Sequence, residues 1–118
     1  MKNSDFVIKS DQTVLNALLM LNKQRDTSRL ILFVESNQGK IIGSLTDGDI
    51  RRALIEHKDL KMPVEQVCFK DFIYEYEKEN FIQLEHFRKQ KISILPLLRE
   101  DKTLSRLIDL KKSKSIIP

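Results

Sequence analysis

Apolar residues fall into short runs separated by polar breaks, and the same succession of runs occurs twice along the chain. Phe6-Val7-Ile8 has strand length. Ser10 or Asp11 is then placed to cap a helix. Val14, Leu15, Leu18, Leu19 and Leu21 give that helix an apolar face at helical spacing, and the polar stretch 22–29 ends it. Leu30-Ile31-Leu32-Phe33-Val34 is almost continuously apolar, which predicts a strand buried on both faces. Asn37-Gln38-Gly39-Lys40 predicts a tight turn, with Gly39 free to take positive φ. Residues 40–45 return as the paired strand, and residues 47–57 form a second helix with Ile50, Ala53 and Leu54 inward.

The second half repeats this order. Pro63 fits a first helical position, followed by one or two turns over Val64-Glu65-Gln66-Val67. Phe72-Ile73-Tyr74 is the short strand, and Phe81, Leu84 and Phe87 are the helix face. Ile92-Ser93-Ile94-Leu95-Pro96-Leu97-Leu98 matches the buried strand of the first half, residues 99–102 replace the glycine turn, and residues 104–107 return. Leu21 aligns with Phe87, Val34 with Leu98 and Lys40 with Lys102. Such a duplication predicts two supersecondary units packed about a pseudo-twofold axis, because neither unit alone covers both faces of its sheet.

Composition narrows the class. A chain of 118 residues buries one sizeable core, not two independent ones. It is 41% hydrophobic and 32% charged, an ordinary soluble composition, and no apolar run approaches the ~20 residues of a membrane helix. The start, Met1-Lys2-Asn3-Ser4-Asp5, carries no signal-peptide core. The single cysteine, Cys68, cannot form an internal disulfide, which fits a reducing cytoplasm. The net charge of +4 is concentrated in Lys111-Lys112-Ser113-Lys114. No aromatics are interleaved there, so a solvated tail is favoured over nucleic-acid binding.

Chemistry gathers at Gly43-Ser44-Leu45-Thr46-Asp47-Gly48-Asp49-Ile50-Arg51-Arg52-Ala53-Leu54, where a strand ends and a helix begins. A helix N-terminus offers unpaired N–H groups and partial positive charge, which suit a phosphate. Thr46 can donate its hydroxyl to the same anion, and Arg51 or Arg52 can neutralise it. Asp49 would repel a phosphate, and as an acceptor it matches two vicinal ribose hydroxyls. Read locally, Thr46 or Asp47 also fits a simple N-cap, and Asp49 a surface acid favoured by the helix dipole.

This duplicated β-α-β-β-α order, with Thr46-Asp47-Gly48-Asp49-Ile50-Arg51-Arg52-Ala53-Leu54 at the junction, resembles the tandem CBS-domain pair, or Bateman module, over residues 6–110. The resemblance implies an α/β fold of two CBS repeats related by a pseudo-twofold axis. Repeat 1 spans residues 1–60, a degenerate repeat 2 spans 61–110, and 111–118 is a basic linker or tail. It implies a regulatory module, not an enzyme as the chain stands, that takes AMP, ADP or ATP in the first repeat. Thr46 then serves phosphate and Asp49 ribose, with Asp47, Arg51 and Arg52 beside them and the base against the strand at Ile8. CBS pairs commonly associate through their helices, so a homodimer is expected. The junction is similar to CBS pairs attached to bacterial sugar-phosphate nucleotidyltransferases, which carry the pair at the N-terminus, and to arabinose-5-phosphate isomerases, which carry it at the C-terminus. A catalytic domain after Ser115-Ile116-Ile117-Pro118 is expected on the nucleotidyltransferase reading. A non-ligand-binding dimerisation or interaction module is the alternative.

Aligned through Lys40 and Lys102, the second repeat has Ser105 for Gly43, Ile108 for Thr46 and Lys111 for Asp49. Isoleucine cannot donate to phosphate and lysine cannot accept from ribose, so the second site reads as blind to adenosine phosphates. Other groupings carry no catalyst. His57 and His86 have no metal-motif spacing, and an EF-hand would need Glu where Lys58 stands. Cys68, beside Val67 and Phe69, reads as a buried structural thiol. Tyr74 and Tyr76 alternate with Glu75 and Glu77, a pattern of sheet packing.

Overall fold

A 3-10 turn at Asn3–Phe6 leads directly into β1 (Val7–Lys9), followed by α1 (Val14–Lys23), β2 (Ile31–Glu35), β3 (Ile41–Thr46) and α2 (Asp47–His57). A second 3-10 turn, Val64–Gln66, precedes β4 (Glu75–Tyr76), α3 (Leu84–Arg88), β5 (Ile94–Leu98) and β6 (Leu104–Asp109). This is a computed structural model that describes residues 3–24, 30–77, 84–90 and 92–110. The expected helix residue Phe81, Lys111 and the basic tail lie outside the described residues.

The strands form two three-stranded sheets, ordered β1-β2-β3 and β4-β5-β6. In each, the first pair is parallel and the second antiparallel. The hairpin registers repeat. Ile31 faces Thr46 and Leu32 faces Leu45 in the first, and Ile94 faces Asp109 and Leu95 faces Ile108 in the second. The register breaks between Val34 and Glu35, and correspondingly between Leu97 and Leu98. The turns agree. Gly39 (φ 81°) and Lys102 (φ 74°) both adopt the left-handed conformation, and their N–H groups donate to Ser36 and Arg99 carbonyls.

This register corrects the sequence alignment by one residue in the hairpin. Gly39, not Lys40, is the counterpart of Lys102, so Thr46 corresponds to Asp109 and Gly43 to Arg106. Two lysines in similar turns drew the sequence alignment together, but side-chain alternation does not tolerate a one-residue slip. Lys40 and its true counterpart Thr103 bridge each other antiparallel, which places the pseudo-twofold axis between the two hairpin turns.

Three further expectations shift. Thr13, rather than Ser10 or Asp11, caps α1, accepting the Asn16 N–H at 3.1 Å. The Ser10 N–H still donates to the Glu35 carbonyl, so strand-like pairing reaches the first of the expected caps. The fourth strand is Glu75–Tyr76 rather than residues 72–74, because Phe72 and Tyr74 pack against the cluster between the sheets. The buried stripe of α1 is Val14, Ala17 and Leu21, while Leu15 and Leu19 face outward.

Neither repeat closes alone. Val64 and Cys68, from the segment expected in repeat 2, are buried among Ile8, Val14, Leu32 and Leu45 of repeat 1. The backbone follows: the Val64 N–H donates to Gln12, and Ser44 and Phe69 exchange bonds of 3.0 and 2.8 Å. Between the sheets, Phe6, Phe33 and Ile41 of the first half meet Ile94, Leu98 and Leu107 of the second. Among the described residues the core thus divides into a cluster shared between the sheets and one on each side of it, the second built from Phe87, Leu95, Leu97 and Leu110.

Candidate functional site

Thr46 ends β3 and is also the N-cap of α2, with extended backbone at φ −109° and ψ 169°. Its hydroxyl accepts the Asp49 N–H at 3.2 Å and donates to Asp49 Oδ2 at 3.0 Å. The Thr46 N–H donates to the same oxygen at 2.9 Å. The pair is a capping box, with Asp replacing the usual Glu or Gln at the third helical position. Asp49 Oδ1 accepts from the Arg52 guanidinium at 2.5 Å, and the Asp49 side chain is only 12% exposed. Asp47 and Arg51 form an exposed ion pair one turn apart. The structure therefore brings Thr46, Asp49 and Arg52 into one cluster and leaves Asp47 and Arg51 paired on the outer side of the helix.

Ile8 lies elsewhere. Its side chain is 3% exposed and belongs to the first core, so a base lying along β1 would meet backbone rather than this side chain. Strand alternation accounts for this: the middle residue of a three-residue strand that is exposed at its end points inward.

Beside the cluster is a hollow of about 240 Å³, lined by Asp49, Arg52, Ala53, Glu56, His57, Gln66 and Val67. The sequence reading missed Glu56, His57 and Gln66. The helical spacing of Asp49, Arg52, Ala53 and Glu56 marks one face, but Gln66 arrives only because the Val64–Gln66 turn folds back on the first repeat. Gly43 permits that approach, since a Cβ there would lie 2.6 Å from Cys68 Sγ and 3.0 Å from the Phe69 carbonyl oxygen. Burial pushes the Cys68 thiol above its ordinary value, partly offset by the Lys70 ammonium. Its Sγ lies 3.7 Å from the Glu65 carbonyl oxygen, a weak thiol donation.

A larger cleft of about 580 Å³ lies near the pseudo-twofold axis. Lys40, Ile41 and Ile42 form one side, residues 70–72 and Tyr74 another, and Lys102 reaches in from the second turn. Lys102 Nζ is 3.0 Å from the Tyr74 hydroxyl and 5.0 Å from its ring centroid. This contact holds the Tyr74 phenol below, and the Lys102 ammonium above, its ordinary value. Tyr76 packs edge-on against Tyr74 at 5.5 Å, the packing role expected for the tyrosine–glutamate alternation.

Among the described residues, no group of three or more His, Cys, Asp or Glu side chains is placed to hold a metal ion. His86 packs edge-on against Phe87 and bonds to the Gln90 amide at 2.9 Å. No described helix is long and apolar enough to cross a membrane.

Residues 1–56 match the CBS domain family model. The described chain has the fold of a tandem CBS-domain pair. The CBS domains of a transcriptional regulator from Streptococcus pneumoniae superpose with a TM-score of 0.70 at 14% identity, covering 94% of this chain and 88% of that one. A CBS domain protein from Streptococcus pneumoniae TIGR4 gives 0.71 at 16% identity, with 90% and 73% covered. A CBS domain protein from Pyrobaculum aerophilum, complexed with AMP, gives 0.66 at 14% identity, with 90% and 80% covered. Comparison of the sequence with curated proteins gives no match.

Proposed function

We propose that this CBS-pair module senses an adenosine nucleotide at the start of α2 and regulates an enzyme joined to it or bound by it. The observation that carries this reading is Asp49: a carboxylate flanked by Arg52 and held in the first turn of a helix that follows directly from a sheet strand. A ribose would take up the Asp49 acceptors, and the phosphate would lie against Thr46, the helix N–H groups and Arg52. The Pyrobaculum aerophilum relative, solved with AMP, supports this class of ligand. The hollow of about 240 Å³ is smaller than the roughly 300–1,000 Å³ of a ligand pocket, so binding requires Arg52 to leave Asp49 Oδ1 to the ribose and turn toward the phosphate. Arg52 is exposed and free to do so at modest cost, because its ion pair reaches solvent.

In the second repeat, the position matching Thr46 is Asp109, a carboxylate that repels phosphate. We therefore assign the nucleotide to the first repeat alone. The similarity of residues 46–54 to CBS pairs attached to sugar-phosphate nucleotidyltransferases supports that enzyme class as the regulated partner, ahead of sugar-phosphate isomerases.

Calorimetric titration of AMP, ADP and ATP tests the assignment. Asp49→Ala removes charge-assisted hydrogen bonds of about 1.5–3 kcal/mol each, so affinity falls more than tenfold. Thr46→Val costs on the order of 1 kcal/mol. Equal affinity in wild type and Asp49→Ala would sink the reading.

A second reading, a dimerisation module, is favoured by the outward apolar side chains of the helical layer. α1 packs beside α2, and Leu19 and Ile55 on these helices are 56% and 71% exposed.

A further inference from the structure

We infer a second ligand site, separate from the helix start, in the cleft of about 580 Å³ between the two hairpin turns. Its ligand class is a phosphorylated compound carrying a planar ring. Three lysines, Lys40, Lys70 and Lys102, line it against one carboxylate, Asp71, so the cleft is net positive. Each lysine comes from a different part of the fold: Lys40 from the entrance to β3, Lys70 from the segment pairing along β3, and Lys102 from the turn before β6. Their convergence results from tertiary packing, since like charges do not gather without a structural cause.

The rest of the lining explains the planar ring. Phe72 and Tyr74 stand side by side with ring centroids 5.1 Å apart, and both are half-buried. They form an apolar wall beside the ammonium groups, the combination that binds a ring at one end and an anion at the other. Lys102 is held over Tyr74 by its hydroxyl bond, and its charge is reinforced there. The left-handed backbone at Lys102 anchors its position: its carbonyl accepts the Ile41 N–H at 2.9 Å, and its own N–H donates to Arg99. The cleft volume lies within the roughly 300–1,000 Å³ of small-molecule pockets, whereas the hollow at Asp49 is below it. None of Thr46, Asp49 or Arg52 lines this cleft.

The site is tested on the full chain by titrating ATP, tripolyphosphate and adenosine into wild type, a Lys70→Gln/Lys102→Gln double variant and Asp49→Ala. Glutamine keeps the side-chain length and removes the charge, and a thermal melt confirms that the double variant is folded. ATP binds wild type more tightly than tripolyphosphate, and adenosine binds most weakly. The double variant lowers tripolyphosphate affinity by about tenfold or more and removes the cleft's share of the ATP heat, leaving the share at the helix start, and rising salt weakens both ligands in wild type. Tripolyphosphate heat is unchanged in Asp49→Ala. Phosphate binding unaffected by the double variant, or absent from wild type, overturns the inference. ATP heat lost in Asp49→Ala but kept in the double variant also overturns it, while leaving the helix-start reading in place. ATP heat lost only in the double variant supports the cleft and removes the helix-start reading.

Discussion

Gly43 and Cys68 pack so closely that a single added methyl on Gly43 would lie 2.6 Å from the Cys68 sulfur. The contact joins β3 of the first repeat to the segment leading into the second. It also sets the depth at which Phe69 pairs with Ser44. Gly43→Ala forces that segment outward, because the Phe69 carbonyl, 3.0 Å away, is backbone and cannot rotate aside. The expected loss is about 1–3 kcal/mol in denaturant unfolding. Cys68 supplies a second measurement. In the wild type its buried, raised-pKa thiol reacts slowly with a disulfide reagent at neutral pH, and in Gly43→Ala it reacts faster. Equal reactivity in the two would mean the segment has not moved.

The mutual bonding of Thr46 and Asp49 makes Asp49 more structural than a surface acid. From the helix dipole alone, Asp49→Ala would cost about 0.3–1 kcal/mol. With the box lost and Arg52 unpaired, the expected cost is about 1–2 kcal/mol in stability. Asp49→Asn keeps an oxygen that accepts the Thr46 N–H, so it retains most of the stability. Chemical denaturation of the three proteins checks the order, and an alanine variant as stable as the asparagine variant contradicts it.

The two tyrosines should titrate apart. The Lys102 ammonium lowers the Tyr74 phenol, and the Tyr74 hydroxyl raises Tyr76. Phenolate absorbance over an alkaline titration then shows a first step below the ordinary tyrosine value and a second above it. Lys102→Gln moves the first step upward. A single step in wild type, at the ordinary value, would contradict the Lys102–Tyr74 contact.

Gln24 holds the first repeat together at its open end. It is buried, its amide nitrogen donates to the Asp5 and Ile31 carbonyls, and its amide oxygen accepts the Ile31 N–H. Gln24→Leu leaves these backbone groups without partners and costs about 1–3 kcal/mol. Hydrogen exchange at the Ile31 amide accelerates more than at the centre of β2. Unchanged protection at Ile31 would show that the clamp is dispensable.

Exposed Leu19 and Ile55 give the dimerisation reading its test. Sedimentation velocity at tens of micromolar, roughly the range of weak dimers, shows a dimer for wild type and a monomer for Ile55→Asp. Ile55 faces solvent, so the substitution does not touch the core. A wild-type monomer throughout that range rules out assembly through this face.

Much of the fold could be read along the chain, and the reasons are local. Continuous apolar runs at residues 30–34 and 92–98 mark strands buried on both faces, and β2 and β5 lie there. The strand-to-helix junction at Thr46 was placed correctly, because a hydroxyl followed three residues later by an acid is a local capping signal. The α1 cap was missed because several polar residues precede the helix, and how far β1 pairing extends determines which of them caps it. The start of β4 was missed because Phe72 and Tyr74 look like strand residues in isolation but pack between the sheets.

The sequence by itself determined the element types, the duplication and the residues at the α2 start, since all three depend on spacing within a few positions. Tertiary structure decided what those residues touch. It closed the Thr46–Asp49 box with Arg52, brought Val64 and Cys68 into the other repeat's core, and matched Thr46 to Asp109 through strand pairing. It also gathered Lys40, Lys70 and Lys102 into one cleft from separate parts of the chain. Spacing along a chain encodes only near neighbours, whereas register and the meeting of distant segments are set by packing the two sheets against each other.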